Sequence, residues 1–343
     1  MFKNALATAA LALTAFSAQA ITIEFDYSYD TSGFFTDQHK SVMNTIAGEF
    51  GTRLTDSLAA ITVSSNNVFQ PRVDLITDGS PTFAPSQSIP QDTLRVFVGA
   101  RALTGSTLAE GGNGFSAGGA PSFMANVNNR SQALPQGVDF GPFGGAMVFD
   151  TGTSWYLDDN LATVESFGGF DFYSVAIHEL GHVLGVGTSA AWTNQTSGLT
   201  FTGAAAVASY GGPVPLANSG HVLKSIDSTF MGSLQEPALT PSITAGQRKY
   251  FTELDWALLS DIGWQVAAVP EPETWAMMLA GLGLLGWRLR RANLAQGGQL
   301  RCPPIGGGLS NTQLRDFVPQ ASAGGGRRAA HPTTIMVPHG WPA

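Results

Sequence analysis

Cysteine is almost missing from this chain: 343 residues hold one, Cys302, far toward the C-terminus. No intramolecular disulfide can form, so the fold must rest on its core and on any ions it binds. Charge is scarce too, with Asp, Glu, Lys and Arg making up 12% of the residues. Basic residues are the scarcer kind, 17 against 25 acidic, for a net charge of −8. The imbalance is uneven. Residues 21–270 hold 9 Lys and Arg against 22 Asp and Glu, a net of −13, while the part after Trp287 holds seven arginines and one acid. An acidic main body argues against nucleic acid as a partner. No apolar run reaches the ~20 residues that an ordinary membrane-spanning helix needs. Glycine, by contrast, is plentiful at 41 residues. That balance points to a loop-rich globular protein.

Taken in order, residues 1–20 read as a secretory signal, with Lys3 as the positive start, an apolar run from Ala5 to Phe16, and Ala18-Gln19-Ala20 as the cleavage site. Ile21, Ile23, Phe25, Tyr27 and Tyr29 alternate with polar residues, which predicts a half-buried strand. Val42, Ile46, Phe50, Leu54 and Leu58 recur every four residues and predict a helix from about Asp37. Ile61 and Val63 suggest a short strand, and TLRVFVGA another. Residues 104–144 are dense in Gly, Asn, Ser and Pro and read as a long surface loop. GGAMVFDTGTSWYLDD then gives a strand and a turn. Residues 188–220 are small and polar without clear periodicity, and 241–264 read as a helix with Thr244 and Gln247 as its capping box.

Between those regions lies the most informative stretch, His178-Glu179-Leu180-Gly181-His182. On a helix, residues four apart project from one face, one turn apart. Two imidazoles so placed can share one Zn²⁺ at ~2.0–2.1 Å each. Glu179, beside the first of them, is positioned to move the proton of an attacking water. Phe172, Val175, Ala176, Leu180, Val183 and Leu184 make the surrounding helix apolar, Asp171 is its expected N-cap, and Gly185 and Gly187 its end.

The helix and its flanks resemble the metzincin-like zinc metalloproteases, on HELGHVLG, on GGAMVFDTGTSW as a substrate-aligning edge strand, on Met231 as the methionine of a Met-turn, and on FTELDWALLSDIGW as a closing helix. The resemblance spans about residues 21–265. It implies an α+β zincin-like fold: a twisted mixed sheet over an active-site helix, a smaller C-terminal subdomain, and a peptide substrate in the cleft between them. It implies one catalytic zinc ion, with Glu179 as general base. No cysteine precedes the motif, which excludes a cysteine-based latency device. In one respect the chain departs from the family: the third histidine is expected ten residues after the first, where this chain has Thr188. Of the remaining histidines, His39 opens the first helix, and His331 and His339 lie near the C-terminus. His221, just ahead of Met231, is the preferred third ligand, reached after an insertion. Glu253, Asp255 and Asp171 stay open as carboxylate alternatives. Tyr210 and Tyr250 are candidate oxyanion partners, though a structural role suits each better. Asp150, Asp158 and Asp159 are candidate Ca²⁺ donors on a Gly- and Asn-rich scaffold, beside the commoner reading of solvated loop acids.

The segment from Val269 resembles the PEP-CTERM sorting signals of Gram-negative bacteria: the triplet Pro270-Glu271-Pro272, an apolar run from Trp275 to Trp287, and the cluster Arg288, Arg290, Arg291. The resemblance implies export, processing by an exosortase-type enzyme, transient membrane association through residues 275–287, and a surface or extracellular product. Fifty-two residues follow Arg291, whereas such signals usually end the protein. The expected plan is a signal peptide (1–20), a zinc metalloprotease domain (21–266), a sorting segment (267–291) and a disordered tail (292–343). Two rival functions remain open: a non-catalytic zincin-fold surface or biofilm-matrix binding protein, motivated by Thr188, and an amidase acting on another surface polymer.

Overall fold

The computed structural model describes residues 20–78, 82–132, 140–163, 165–268, 280–284, 286–288 and 336–337. The element order in the first part is β1 (Thr22–Asp26), α1 (Asp37–Arg53), β2 (Val68–Pro71), α2 (Asp74–Thr77), β3 (Thr93–Arg101), β4 (Ala109–Gly112), β5 (Phe115–Gly118), α3 (Pro121–Asn129) and β6 (Gly144–Asp150). The second part has β7 (Trp155–Asp158), β8 (Phe170–Asp171), α4 (Phe172–Val183), α5 (Ala190–Thr193), β9 (Thr200–Phe201), α6 (Ala204–Tyr210), β10 (Val214–Asn218), β11 (His221–Val222), β12 (Ser228–Phe230), β13 (Ser233–Gln235) and α7 (Glu253–Asp261). Almost all of the expected signal and tail lies outside the described residues. One short piece of the tail is described: β14 (Met336–Val337) pairs antiparallel with β7. Residues 280–284 and 286–288 are helical, and among the described residues no helix is long and apolar enough to cross a membrane.

The main sheet is mixed, in the order β1-β3-β6-β4; β1, β3 and β6 run parallel and β4 antiparallel. This is the α+β architecture expected, a twisted mixed sheet with helices. Side chains alternate between faces along a strand, and that alternation sorts the core into two layers. Leu94, Val96, Val98, Met147 and Phe149 face α1 and α4, joining Val42, Ile46, Phe50, Val175 and Leu180. Phe97, Ala146 and Val148 face the other way, onto Phe69, Val73, Phe123, Val127 and Phe143. Covered on both faces, β3 and β6 read as nearly unbroken apolar runs.

Residues 104–144 are therefore not one long surface loop. They supply β4, β5 and α3, and Phe123, Val127 and Phe143 are buried in the second layer. Each such side chain contributes roughly 1.5–3 kcal/mol by leaving water. Pro121 opens α3 at its first turn, where the missing N–H costs nothing. Ile61 makes a single bridge to Ile89 rather than a strand. Leu58 lies beyond the end of α1 but is still buried.

The closing helix is shorter than expected. Residues 241–252 are not helical, and the capping box is Thr252 with Asp255, not Thr244 with Gln247. Gly263 (φ +117) follows the C-cap Ile262. The two ends of the body meet beside α1. Ile21 N–H donates to Leu54 O (3.2 Å), Leu54 bridges Val266, Ala267 N–H donates to Arg53 O (2.7 Å), and Thr55 N–H donates to Gln265 O (2.9 Å). By its internal contacts the chain divides after Ala267.

Candidate metal centre

Every residue of α4 is buried. The helix is buried on all sides because the sheet covers it from one side and later segments from the others. Leu184 ends it, and Gly185 (φ +108) turns the chain where a Cβ would strike Phe140. Thr188, ten residues after His178, caps this end: its hydroxyl donates to His182 O (2.6 Å) and accepts from Asn113 Nδ2 (3.4 Å).

The chain then makes an excursion through α5, β9, α6 and β10 and returns to its starting point. Gly187 and Gly220 touch backbone to backbone; a Cβ on Gly187 would lie 2.7 Å from Gly220 Cα. Trp192 anchors the excursion, donating from Nε1 to Ser219 O (2.7 Å) and stacking on Phe201. Its unperiodic sequence hides this packing because the elements are short. The loop delivers His221, on β11, to the histidines of α4.

The three Nε2 atoms form a small triangle: 2.9 Å between His178 and His182, 3.1 Å between His182 and His221, and 3.2 Å between His178 and His221. The opposite ring nitrogens fix their tautomers. His178 Nδ1 lies 2.8 Å from Ala238 O, and His182 Nδ1 lies 2.8 Å from Val186 O. His221 Nδ1 lies 2.9 Å from Asn218 Oδ1, an atom identified as the oxygen because it also accepts Gly220 N–H (2.9 Å). Carbonyl and amide oxygens only accept, so each Nδ1 carries the proton. Burial, with the other histidines adding, pushes His178 well below the ordinary imidazole range, and burial with His182 pushes His221 down to about 4. His182 is lowered by burial as well. All three rings are then neutral, with unprotonated Nε2 lone pairs converging at about 3 Å and no proton between them. Such an arrangement suits a shared cation at ~2.0–2.1 Å from each nitrogen, with orienting acceptors behind. Among the described residues these three form the one group of three or more His, Cys, Asp or Glu that could hold a metal ion.

Glu179 lies directly beneath β4. A Cβ on Gly111 would sit 2.5 Å from Glu179 O and 2.9 Å from its Cβ, so only glycine lets the strand approach this closely. Burial, with Glu110 adding, raises the Glu179 carboxyl to about 8, and a cation beside it would favour the charged form. The strand at the edge of the sheet beside this residue is β4, not β6. The expected edge strand, Ala146–Asp150, is interior and paired on both sides.

The other candidates do not join the histidines. Asp255 is buried and accepts from Ala238 N (2.9 Å), Leu239 N (3.1 Å) and Thr252 N (2.7 Å). Glu253 lies 3.8 Å from Arg53, and Asp171 pairs with Arg248 (3.1 Å). Met231 is not beneath the site. It is 81% exposed at the tip of the β12–β13 hairpin, with φ +48. The segment that passes under the histidines is Pro237–Thr240: Ala238 O holds His178, and Leu239 packs on Gly181. Tyr210 ends α6 partly exposed; Tyr250 donates to Leu161 O (3.4 Å) and stacks on Phe230. Asp150, Asp158 and Asp159 bind Thr153, Arg248 and Ser41 separately. Sequence reasoning missed Asn218, Ala238, Val186 and Asp255 as supports. Only Asn218, three residues before His221, left a local signal.

A buried helix carrying H-E-x-x-H under a mixed sheet defines a metallopeptidase-like centre. Comparison with known families agrees: residues 124–196 match the matrixin family model, and residues 268–292 match the PEP-CTERM protein-sorting motif. Residues 124–196 are thus similar to the matrixin family, a likeness that supports a zinc metallopeptidase, and residues 268–292 to a sorting motif of the kind that directs export and surface sorting. No curated protein and no solved structure matches the chain. The matrixin match stops at Thr196, so the assignment of His221 rests on geometry alone.

Proposed function

We propose that this chain is an exported zinc-dependent endopeptidase in which His178, His182 and His221 hold the ion and Glu179 is the general base. The observation that carries this reading is the set of three Nε2 lone pairs forced together by acceptors behind each ring. Zinc, when bound, supplies Lewis acidity toward the scissile carbonyl. Glu179 takes a proton from the attacking water and returns it to the leaving amine. The free edge of β4 pairs with an extended peptide, the usual use of an unpaired strand. Segments after α4, including β11 and the loop through Ala238, form the smaller C-terminal subdomain and the opposite wall of the cleft. Residues 1–20 act as the signal peptide and 21–266 as the catalytic domain. Residues 267–291 engage an exosortase-type enzyme, with transient inner-membrane association through 275–287.

The test is cleavage of an unfolded protein by the purified, zinc-loaded chain beside Glu179→Ala. The expected result is equal zinc binding with activity lower by about 10²–10⁴-fold. If both bind zinc and neither cleaves protein, the peptidase reading fails. Cleavage of cell-wall fragments would then mark an amidase, and no turnover at all a binding protein.

A further inference from the structure

Lys249 is a buried cation that the proposed chemistry leaves unused. It is 1% exposed. Its ammonium lies 3.0 Å from Glu236 Oε2 and donates to Thr240 Oγ1 and to Ser242 O (2.9 Å). Its backbone N–H donates to Ser174 Oγ on α4 (2.6 Å). A lysine is rarely placed in a core without paired acceptors, since an unpaired buried charge is strongly destabilising. Here the acceptors, Glu236, Thr240 and Ser242, come from the segment that passes under α4, one of two that frame the histidines, and Glu236 reaches across to the other.

The first segment follows His221. Four residues on, Ser225 adopts φ +76, a left-handed conformation that costs energy for any residue but glycine. Ser225 N–H donates to Glu236 Oε1 (3.1 Å), and the same carboxylate meets Lys249 through its other oxygen. The second segment passes under α4. Thr240 and Ser242 lie just beyond Ala238, whose carbonyl orients His178. One ammonium therefore ties the turn behind His221 to the loop behind His178, while its own backbone is fixed to the helix that carries His178 and His182.

We infer that Lys249 is a positioning residue that, through Glu236 and Ser225, sets where His221 stands relative to His178 and His182. The inference rests on the three histidines being the metal site. It predicts that loss of the tie opens the nitrogen triangle without unfolding the body. The pair Lys249→Met with Glu236→Gln removes both charges together, so neither is left buried without the other.

The experiment measures zinc affinity by chelator competition and the visible absorption of the cobalt(II)-loaded protein, on the whole chain, with thermal unfolding of the metal-free form alongside. The expected result for the double variant is a fall in zinc affinity of about 10–100-fold, the range for lost outer-shell support, with an altered cobalt spectrum. Adding Ser225→Gly, which relieves the left-handed turn, should restore part of the affinity. Glu236→Asp, which keeps the opposite charge but shortens its reach to Ser225, should give a smaller fall and serves if the double variant does not fold. Unchanged affinity and an unchanged cobalt spectrum, whatever the change in unfolding temperature, would reduce Lys249 to a purely structural role. A parent chain that binds no zinc would overturn the metal site itself, and this inference with it.

Discussion

His178 and His182 stand four residues apart on one rigid helix, whereas His221 arrives on a two-residue strand after a 38-residue path from His182 that touches itself at Gly187 and Gly220. The 3.6-residue period puts the helical pair side by side, and the carbonyls of Ala238 and Val186 then orient the rings. The third histidine needs Asn218 behind its ring, the glycine contact at the neck of the excursion, and the Glu236–Lys249 tie at the turn beyond. The two halves of one site are thus held by different physics. Local backbone geometry fixes the first. A network of side chains distant in sequence fixes the second, and such networks fail piecemeal.

The comparison breaks most sharply at the ligands themselves. His221→Ala and His178→Ala should each lower zinc affinity by several orders of magnitude in a chelator-competition assay. Adding Thr188→His to His221→Ala should not restore binding, because residue 188 caps the end of α4. Recovery with that histidine would mean that the loop path is dispensable. Next in size is Asp255→Ala, which strands the buried donors of Ala238, Leu239 and Thr252. Hydrogen bonds to charged groups contribute about 1.5–3 kcal/mol each, not additively, so chemical denaturation should show a loss of about 3 kcal/mol and a weaker zinc site. Asn218→Ala should leave stability nearly untouched but cost about 10–100-fold in zinc affinity. Asn218→Asp, which keeps the acceptor, should retain most of it.

The smallest effect falls on the described histidine outside the centre. His39 is buried on α1 against Phe34 and Phe172, and burial pushes it down to about 4, with Asp30 opposing. Between the ordinary value of about 6.5 and this lowered one, the unfolded chain takes up a proton that the folded chain refuses. Its contribution is therefore complete above about pH 6.5 and lost as pH falls toward 4. His39→Phe should flatten the fall in unfolding temperature over that window and leave zinc affinity unchanged.

What could be read in advance follows the same division. The metal helix, β1, β3 and the core face of α1 follow from periodicity, which depends on near neighbours. Elimination among the histidines pointed to His221, but Ala238 could not be found that way, because its role exists only after the chain has returned. Glycine masked the rest. Gly111 and Gly112 look like loop residues, yet they form the edge strand because a side chain at Gly111 would collide with Glu179. Met231 misled because a methionine following a histidine says nothing about a Phe-Met-Gly-Ser turn that turns it to solvent. The early helix start at residue 241 overlooked Asp255, which caps α7 from within.

The meeting of the two ends of the body beside Leu54 has a mechanical meaning. Load applied at residue 268 enters through Ala267 and Gln265 and passes straight into Arg53 and Thr55, and Ile21 hangs on the residue between them. Tension between the two ends thus closes over a few neighbouring hydrogen bonds and does not run through α4 or β11. Pulling residue 268 away from Ile21 should therefore peel this seam before it strains the nitrogen triangle.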